Sequence, residues 1–379
     1  MLPRAGSRSD AHVTGAGAEN AAEGRRLVAV VVTCNRLAQL RATLTRLRAA
    51  KAEGLGDIIV IDNASSDGTA EWLAGQNGAG VFIERCAENR GGAGGFALGL
   101  RLAAERFGAD WTLVMDDDAR PEPGAIAAFL AAPRGDAMAW AAAVYHPDGR
   151  ICDMNRPALN PFWDAKVMRR TVRALLSRRS RDGFHLGASD YAGARQVPVD
   201  TGSFVGLFVS RAAIDAVGHP DASLFIYGDD VLYSLAIRRA GGRILFDPAI
   251  RFEHDFQTMT RADPRFHPLW KTYYHYRNLL IVYRIAAGGW FWLILPLFVT
   301  KWAFKAKFHR HERGRYLALL ARAVRDGLRR RTQVPHGLVL SWSGAAEAAP
   351  FNDSGSCDDT GPEARPRERD RPATLRRRS

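Results

Sequence analysis

Four short apolar runs recur between residues 27 and 115, and the segments between them constrain the fold more than any other feature of the chain. The runs "LVAVVVTC" (27–34), "DIIVID" (57–62), "GVFIER" (80–85) and "WTLVM" (111–115) have the length and the β-branched content of buried strands. After the first, "LAQLRATLTRLRAA" sets Leu37, Leu40, Leu44 and Leu47 on one helical face. After the second, "NASSDGT" is a turn leading into the short helix "AEWLAG". After the third, the glycine-rich "NRGGAGG" precedes a helix through "FALGLRLAAERFG", with Gly108 as its C-cap. Such strand and helix repetition predicts a parallel sheet with helices on both faces. Ligands of these sheets bind beyond the carboxyl ends of the strands, where Asp62, Asn89 and Asp116 to Asp118 all fall.

The pattern then becomes mixed. A helix "GAIAAFLAA" is followed by "AMAWAAAVYH", the turn "PDGR" and "ICDMN", which read as a hairpin. Residues 156 to 195 resist assignment and hold the arginine-rich "RRTVRALLSRRSR" (169–181). Beyond "VPVDTGSFVGLFVS" and the helix "RAAIDAVG", Asp229 and Asp230 open the helix of "LFIYGDDVLYSLAIRRAGG". The segment "RILFDPAIRFEHDF" reads as two short strands ending in Glu253, His254 and Asp255.

Past Trp270 the character changes. "WKTYYHYRNLLIVYRI" is aromatic and helical, "IAAGGWFWLILPLFVT" is an uncharged run of 16 residues, and the segment from Lys301 to Arg331 is basic and amphipathic. A membrane-spanning helix wants about 20 apolar residues, and this run is interrupted by Gly288, Gly289 and Pro296. We therefore expect interfacial attachment, with tryptophans at headgroup depth and Lys and Arg facing anionic lipid. A buried helical pair is the plainer alternative. The expected organisation is an extension at 1–26, an α/β domain at 27–260, a helical membrane-associating region at 261–335 and a basic tail at 345–379, both ends disordered. The N-terminus lacks the apolar core of a signal peptide, and Cys34, Cys86, Cys152 and Cys357 show no zinc spacing, so they read as reduced thiols of a cytosolic protein.

Three neighbouring carboxylates at the end of a buried strand repel one another unless a cation shares them. Hard divalent ions such as Mg2+ or Mn2+ take oxygen ligands and are completed by substrate phosphates. Alternate residues of an extended segment face the same way, so Asp116 and Asp118 can act together while Asp117 points elsewhere. Each feature also has a plain structural explanation: a solvated, capping turn for 116–118, a helix-dipole charge effect for Asp229 and Asp230, and a surface histidine for His254.

Taken in order, "VVVTCNR", "VIDNASSDGT", "ENRGGAGGF", "MDDDA", "FIYGDDVLYSLAIRRAG" and "FEHDF" resemble the family 2 glycosyltransferases over residues 27 to 260. "NRGGAGGF" followed by "DDDA" is most similar to the bacterial galactofuranosyltransferase branch, with the rhamnosyltransferases as near neighbours. "YYHYRN" (273–278) resembles the segment that follows the catalytic domain in those enzymes. The resemblance implies a GT-A nucleotide-sugar-binding fold with a mostly parallel mixed sheet. It also implies inverting, Mg2+- or Mn2+-dependent transfer from a UDP- or dTDP-sugar to a polyprenyl-diphosphate-linked or glycan acceptor in cell-wall polysaccharide synthesis. That chemistry would run on the cytoplasmic face of the inner membrane. Carried over by position, Asp230 would be the base with Asp229 beside it, and Asp116, Asp118 and His254 the metal ligands. Thr33, Asn35, Arg36, Asp62, Asn89, Arg90, Gly91, Gly92, Asp116 and Asp117 would bind the nucleotide sugar. One departure is Gly228, which stands where galactofuranose-type relatives often carry tryptophan.

Two rival readings fit less of the chain. Gly92, Gly94 and Ala97 match a dinucleotide-binding G-x-G-x-x-A, but that fingerprint belongs in the first strand-helix unit and here sits in the third. The formal charge of +13 suggests nucleic acid, yet the arginines lie in tails and in the helical region while the expected crevice is acidic, so no nucleic-acid partner is expected.

Overall fold

The computed structural model describes residues 26–78, 80–133, 135–176, 180–255 and 265–344. The extensions expected to be disordered lie outside the described residues, apart from Arg26. The chain runs β1 (Leu27–Thr33), α1 (Leu37–Ala50), β2 (Ile58–Asp62), α2 (Thr69–Ala74), β3 (Val81–Arg85), α3 (Gly91–Glu105) and β4 (Trp111–Asp116). It continues through β5 (Ala119–Pro121), α4 (Ala125–Ala131), β6 (Ala137–Tyr145), α5 (Ala165–Leu176), α6 (Ala188–Tyr191), β7 (Val197–Val199) and β8 (Leu207–Ser210). It ends with α7 (Arg211–Val217), α8 (Asp229–Arg239), β9 (Arg243–His254), α9 (Lys271–Ala287), α10 (Phe291–Phe304), α11 (Arg313–Leu328) and α12 (His336–Ser343).

The strands form one sheet in the order β3-β2-β1-β4-β8-β6-β9-β5, with β7 also paired to β9. The first four are mutually parallel, as the strand-helix alternation predicts; β8 then enters antiparallel between β4 and β6. Every residue of β1 is buried, and its alternate side chains enter opposite layers. Leu27, Ala29 and Val31 pack with Leu40, Leu44 and Leu47 of α1 and Phe129 of α4. Val28, Val30 and Val32 pack with Phe96 and Leu100 of α3, in the layer that also holds Ile214 and Ile237.

Two details differ from the expectation. The glycines of "NRGGAGG" do not precede a helix; they are its first turns, since α3 begins at Gly91. The reason is packing: a Cβ at Gly95 or Gly99 would sit 2.5 or 2.2 Å from the valine methyls of Val32 or Val30, so only glycine lets this helix lie so close to β1. The segment 243–254 is one continuous strand rather than two, with a register shift against β6 between Asp247 and Arg251. The expected hairpin forms, although its second arm is only a bridge from Tyr145 to Ile151. Residues 156–195, unassigned from sequence, supply α5 and α6.

The C-terminal helices build a third, aromatic core in which Tyr273, Tyr276 and Leu280 of α9 pack with Tyr316 and Leu319 of α11. This part matches the buried-pair alternative. α10 does not: of its residues only Phe291 and Trp302 are buried.

Candidate active site

Strand register brings the acidic positions together. Parallel pairing sets Thr33 beside Asp62 and Val32 beside Asp116, so the carboxyl ends of β2, β1 and β4 are level. Only Asp117 and Asp118 separate β4 from β5, yet β5 pairs with β9 at the far end of the strand order, with Ala119 opposite His254. The sheet therefore curls, and the aspartate turn joins an interior strand, β4, to the far edge strand, β5. The Asp255 amide closes the junction by donating to the Asp118 carbonyl at 3.0 Å.

The three aspartates have distinct surroundings. Asp117 is buried: its Oδ2 accepts from the Thr33 hydroxyl at 2.7 Å, and its Oδ1 lies 3.4 Å from Arg36 Nε. Its carbonyl accepts from the Thr43 hydroxyl at 2.6 Å, which ties the turn to α1. Asp118 bonds Arg36 Nη2 at 2.7 Å through Oδ2 and His254 Nε2 at 3.0 Å through Oδ1. Burial pushes the Asp118 carboxyl up, but the bond from His254 and the Arg36 guanidinium outweigh it and hold it at about 2. Burial likewise disfavours the His254 imidazolium, yet its bond to Asp118 carries it to about 10. Asp116 is held well above the ordinary carboxylate range by burial and by the charge on Asp118. Ligand atoms of Asp116, Asp118 and His254 all lie within 4.8 Å of one another. Two carboxylates and an imidazole at that spacing suit a hard divalent cation, with open positions for phosphate oxygens.

His254 is oriented from behind. Its Nδ1 meets Asn155 Oδ1 at 2.8 Å, which leaves Nε2 for the aspartates. Asn155 Nδ2 donates to the Ser203 hydroxyl at 2.8 Å, and the next backbone amide, Phe204, bonds the Asp230 carboxylate. The 202–204 loop thus connects the Asp116, Asp118 and His254 cluster to the second acidic pair.

That pair opens α8. Asp230 Oδ1 accepts from the Val231 amide at 2.7 Å, as a helix N-terminus favours. Burial raises both carboxyls, Asp229 to about 8, helped by the charge on Asp230, and Asp230 to about 6. Gly228, ahead of them, has φ +79°, a conformation a side chain adopts reluctantly. The neighbouring Tyr227, 39% exposed, presents an aromatic ring on the same turn.

At the other end of the crevice Asp62 is buried, accepts from the Ser65 amide at 2.9 Å and faces Arg85 Nε at 3.6 Å. Beside it Asn63 donates to Asn89 Oδ1 at 3.0 Å and to the Gly91 carbonyl at 2.9 Å, and accepts from the Arg90 amide at 2.9 Å. Asn35 Oδ1 accepts from the Ser66 amide at 2.6 Å.

Residues 28–181 match the sequence profile described as "Glycosyl transferase family 2". Over those residues the chain is similar to the family 2 glycosyltransferases. The chain is 29% identical over 215 residues to galactofuranosyltransferase GlfT1 of Mycolicibacterium smegmatis, a match covering 57% of this chain and 66% of that protein. It is 31% identical over 217 residues to GlfT1 of Mycobacterium tuberculosis, covering 56% of this chain and 64% of that one. The chain thus spans just under two thirds of either relative. A mannosyltransferase from Pyrobaculum calidifontis, solved with GDP-Man and Mn2+, superposes with a TM-score of 0.47 at 16% identity, over 81% of this chain and 88% of that one. That likeness is too distant to bear on substrate or mechanism. The curled, mixed sheet is GT-A-like in its topology.

The site gathers Asp116, Asp118 and His254, with Asp229 and Asp230 one loop away. Asp62, Asn89, Arg90, Gly91, Gly92 and Asn35 line the strand ends where the nucleotide was expected. Three of the residues expected to bind the nucleotide sugar are engaged within the protein. Asp117 and Arg36 are engaged with each other and with Thr33 and Asp118, and these contacts brace the turn. Thr33 does the same, because strand pairing points its hydroxyl at Asp117. Asn63 and Asn155 were missed, although the polar residue after "VID" and the asparagine ending "ICDMN" stood in the sequence as signals.

Proposed function

We propose that this protein is an inverting, metal-dependent glycosyltransferase that moves galactofuranose from UDP-galactofuranose to a polyprenyl-diphosphate-linked or polysaccharide acceptor during cell-envelope synthesis. The observation that carries this reading is the Asp116, Asp118 and His254 cluster, linked through Asn155, Ser203 and Phe204 to the buried Asp229 and the half-buried Asp230. The galactofuranosyltransferase relatives supply the choice of sugar. A relative matched over 112 residues at 33% identity is an undecaprenyl-phosphate mannosyltransferase of Micrococcus luteus, which supports a lipid-linked acceptor.

Asp62 and Asn63, with the Asn89 to Gly92 segment, hold the nucleotide. Asp116, Asp118 and His254 would hold Mg2+ or Mn2+, which when bound neutralises charge on the departing diphosphate. Arg36 and Asn155 keep those ligands in place. Asp230 takes the proton of the acceptor hydroxyl as its oxygen attacks the anomeric carbon; the bond from that carbon to the diphosphate breaks, and UDP departs. One displacement inverts the anomeric centre. Burial suits Asp230 to this work, because a carboxylate of raised pKa is the stronger base.

Attachment to the cytoplasmic face of the membrane is supported by α10. Trp292, Leu293, Leu297 and Phe304 are 59% to 71% exposed, and Lys301 and Lys307 are exposed near them. By length and composition the helical stretch Lys271–Phe308 could cross a membrane, but its first half is buried against α11, which favours lying on the surface. Helix α5 adds a second amphipathic element, with Val172, Leu175 and Leu176 exposed beside Arg169 and Arg173.

A panel of nucleotide sugars with Mg2+ or Mn2+, scored by nucleoside diphosphate release in the presence of a prenyl-diphosphate-linked glycan as acceptor, tests the reading. UDP-galactofuranose should be turned over fastest; turnover confined to dTDP-rhamnose would transfer the assignment to a rhamnosyltransferase.

A further inference from the structure

The turn that delivers the acidic pair is strained and cannot hold itself. Phe225 and Tyr227 both have φ +69°, and Gly228 follows at +79°. Residues with a side chain adopt that region reluctantly, so contacts from elsewhere must hold the turn.

Those contacts come from α9. Asn278 is fully buried, and its amide nitrogen lies 3.0 Å from the Leu224 carbonyl, 2.7 Å from Ile226 and 2.9 Å from Tyr227. Its amide oxygen accepts from Arg277 Nε at 2.8 Å, which fixes the orientation that points the NH2 group at the turn. Arg277, equally buried, donates Nη2 to the Leu224 carbonyl at 2.8 Å and Nη1 to the Thr332 carbonyl at 3.0 Å, with its plane against Tyr273 and Tyr274. The Phe225 ring is stacked on Tyr274 and His336 in the aromatic core. From the opposite side the Ala93 amide of α3 donates to the Phe225 carbonyl at 3.0 Å, and the close approach at this carbonyl leaves no room for a side chain at Gly91.

We propose that Arg277 and Asn278 are positioning residues for transfer: their donors hold the 224–228 turn so that Asp229 and Asp230 meet the acceptor. The C-terminal helices are then part of the catalytic unit as well as a surface for lipid. This rests on the reading of Asp230 as the base, but the contacts themselves do not.

The test uses the full chain. Asn278→Asp keeps the shape and the Arg277 contact while setting an acceptor against three carbonyls; Asn278→Ala removes the group. Both should lower kcat for UDP-galactofuranose and a prenyl-diphosphate-linked glycan about 100-fold, the order expected of a misplaced reacting group. Binding of UDP with Mn2+, read by calorimetry, should stay at the wild-type value, and amide hydrogen exchange should rise in residues 223–231. Tyr316→Phe serves as the control, because its hydroxyl bonds Trp302 and Tyr276 within the same helical core and not the turn. If Tyr316→Phe at a matched loss of melting temperature costs as much kcat, or if Asn278→Asp leaves kcat and exchange unchanged, the positioning role is overturned. Asp230→Asn is measured in parallel: its retaining turnover would refute the base assignment, while the exchange data would still decide the role of Asn278.

Discussion

Charge on the aspartate turn is balanced in layers. Arg36 lies against both Asp117 and Asp118, and His254 caps the other oxygen of Asp118. Asp116 has neither partner at bonding distance, and burial keeps its carboxyl protonated more readily than its neighbours. Asp118→Ala should therefore abolish the Mn2+ dependence of UDP binding in calorimetry. Asp230→Asn should lower transfer by about 10²–10⁴-fold, the usual worth of a general base, with UDP binding retained. The acid limb of kcat/KM should fall near pH 6, because Asp230 must be deprotonated to act and burial raises its carboxyl to about 6. The same burial has a sign for stability. Carboxyls raised above their unfolded values bind more protons when folded, so stability falls as pH climbs from about 4 through the folded pKa values near 6 and 8. Asp229→Asn removes part of that penalty, and its melting temperature at pH 8 should exceed the wild-type value even as transfer drops.

Among the elements, α3 and α10 make opposite use of small and large side chains. α3 is buried along a glycine edge against β1, so Gly99→Val should overpack it and cost about 1–3 kcal/mol, read as a lower urea midpoint at unchanged slope. α10 carries its large apolar residues outward. The double variant Leu293→Ser/Leu297→Ser, both exposed, should leave the melting temperature unchanged and reduce co-sedimentation with anionic phospholipid vesicles; undiminished sedimentation would remove α10 from the membrane contact. The helical periodicity of α1 and the apolar runs of the first strands were legible because each depends on neighbours within one element. The start of α3 was not, because glycine reads locally as a loop and only the proximity of Val30 and Val32 makes it a helix face.

For the molecule as a whole, removing residues 285–331 should abolish transfer, and not merely release the protein from membranes, because it strips Tyr316 and Leu319 from the core that backs Arg277 and Asn278. Loss of the near-ultraviolet signal of that aromatic core would accompany it. By itself the sequence determined a parallel α/β sheet with carboxylates at its strand ends, an order of motifs similar to that of the family 2 glycosyltransferases, and an apolar, basic C-terminal region, since periodicity, composition and motif order are written locally. Only the tertiary structure decided that Asp117 braces the turn with Thr33 and Arg36, that His254 reaches Asp118 across 136 residues of chain with Asn155 behind it, and that α9 grips the turn of the acidic pair. Those contacts join residues whose local patterns are unrelated, and they exist because the sheet curls β5 onto β9 and a separate aromatic core packs α9 against the 224–228 turn.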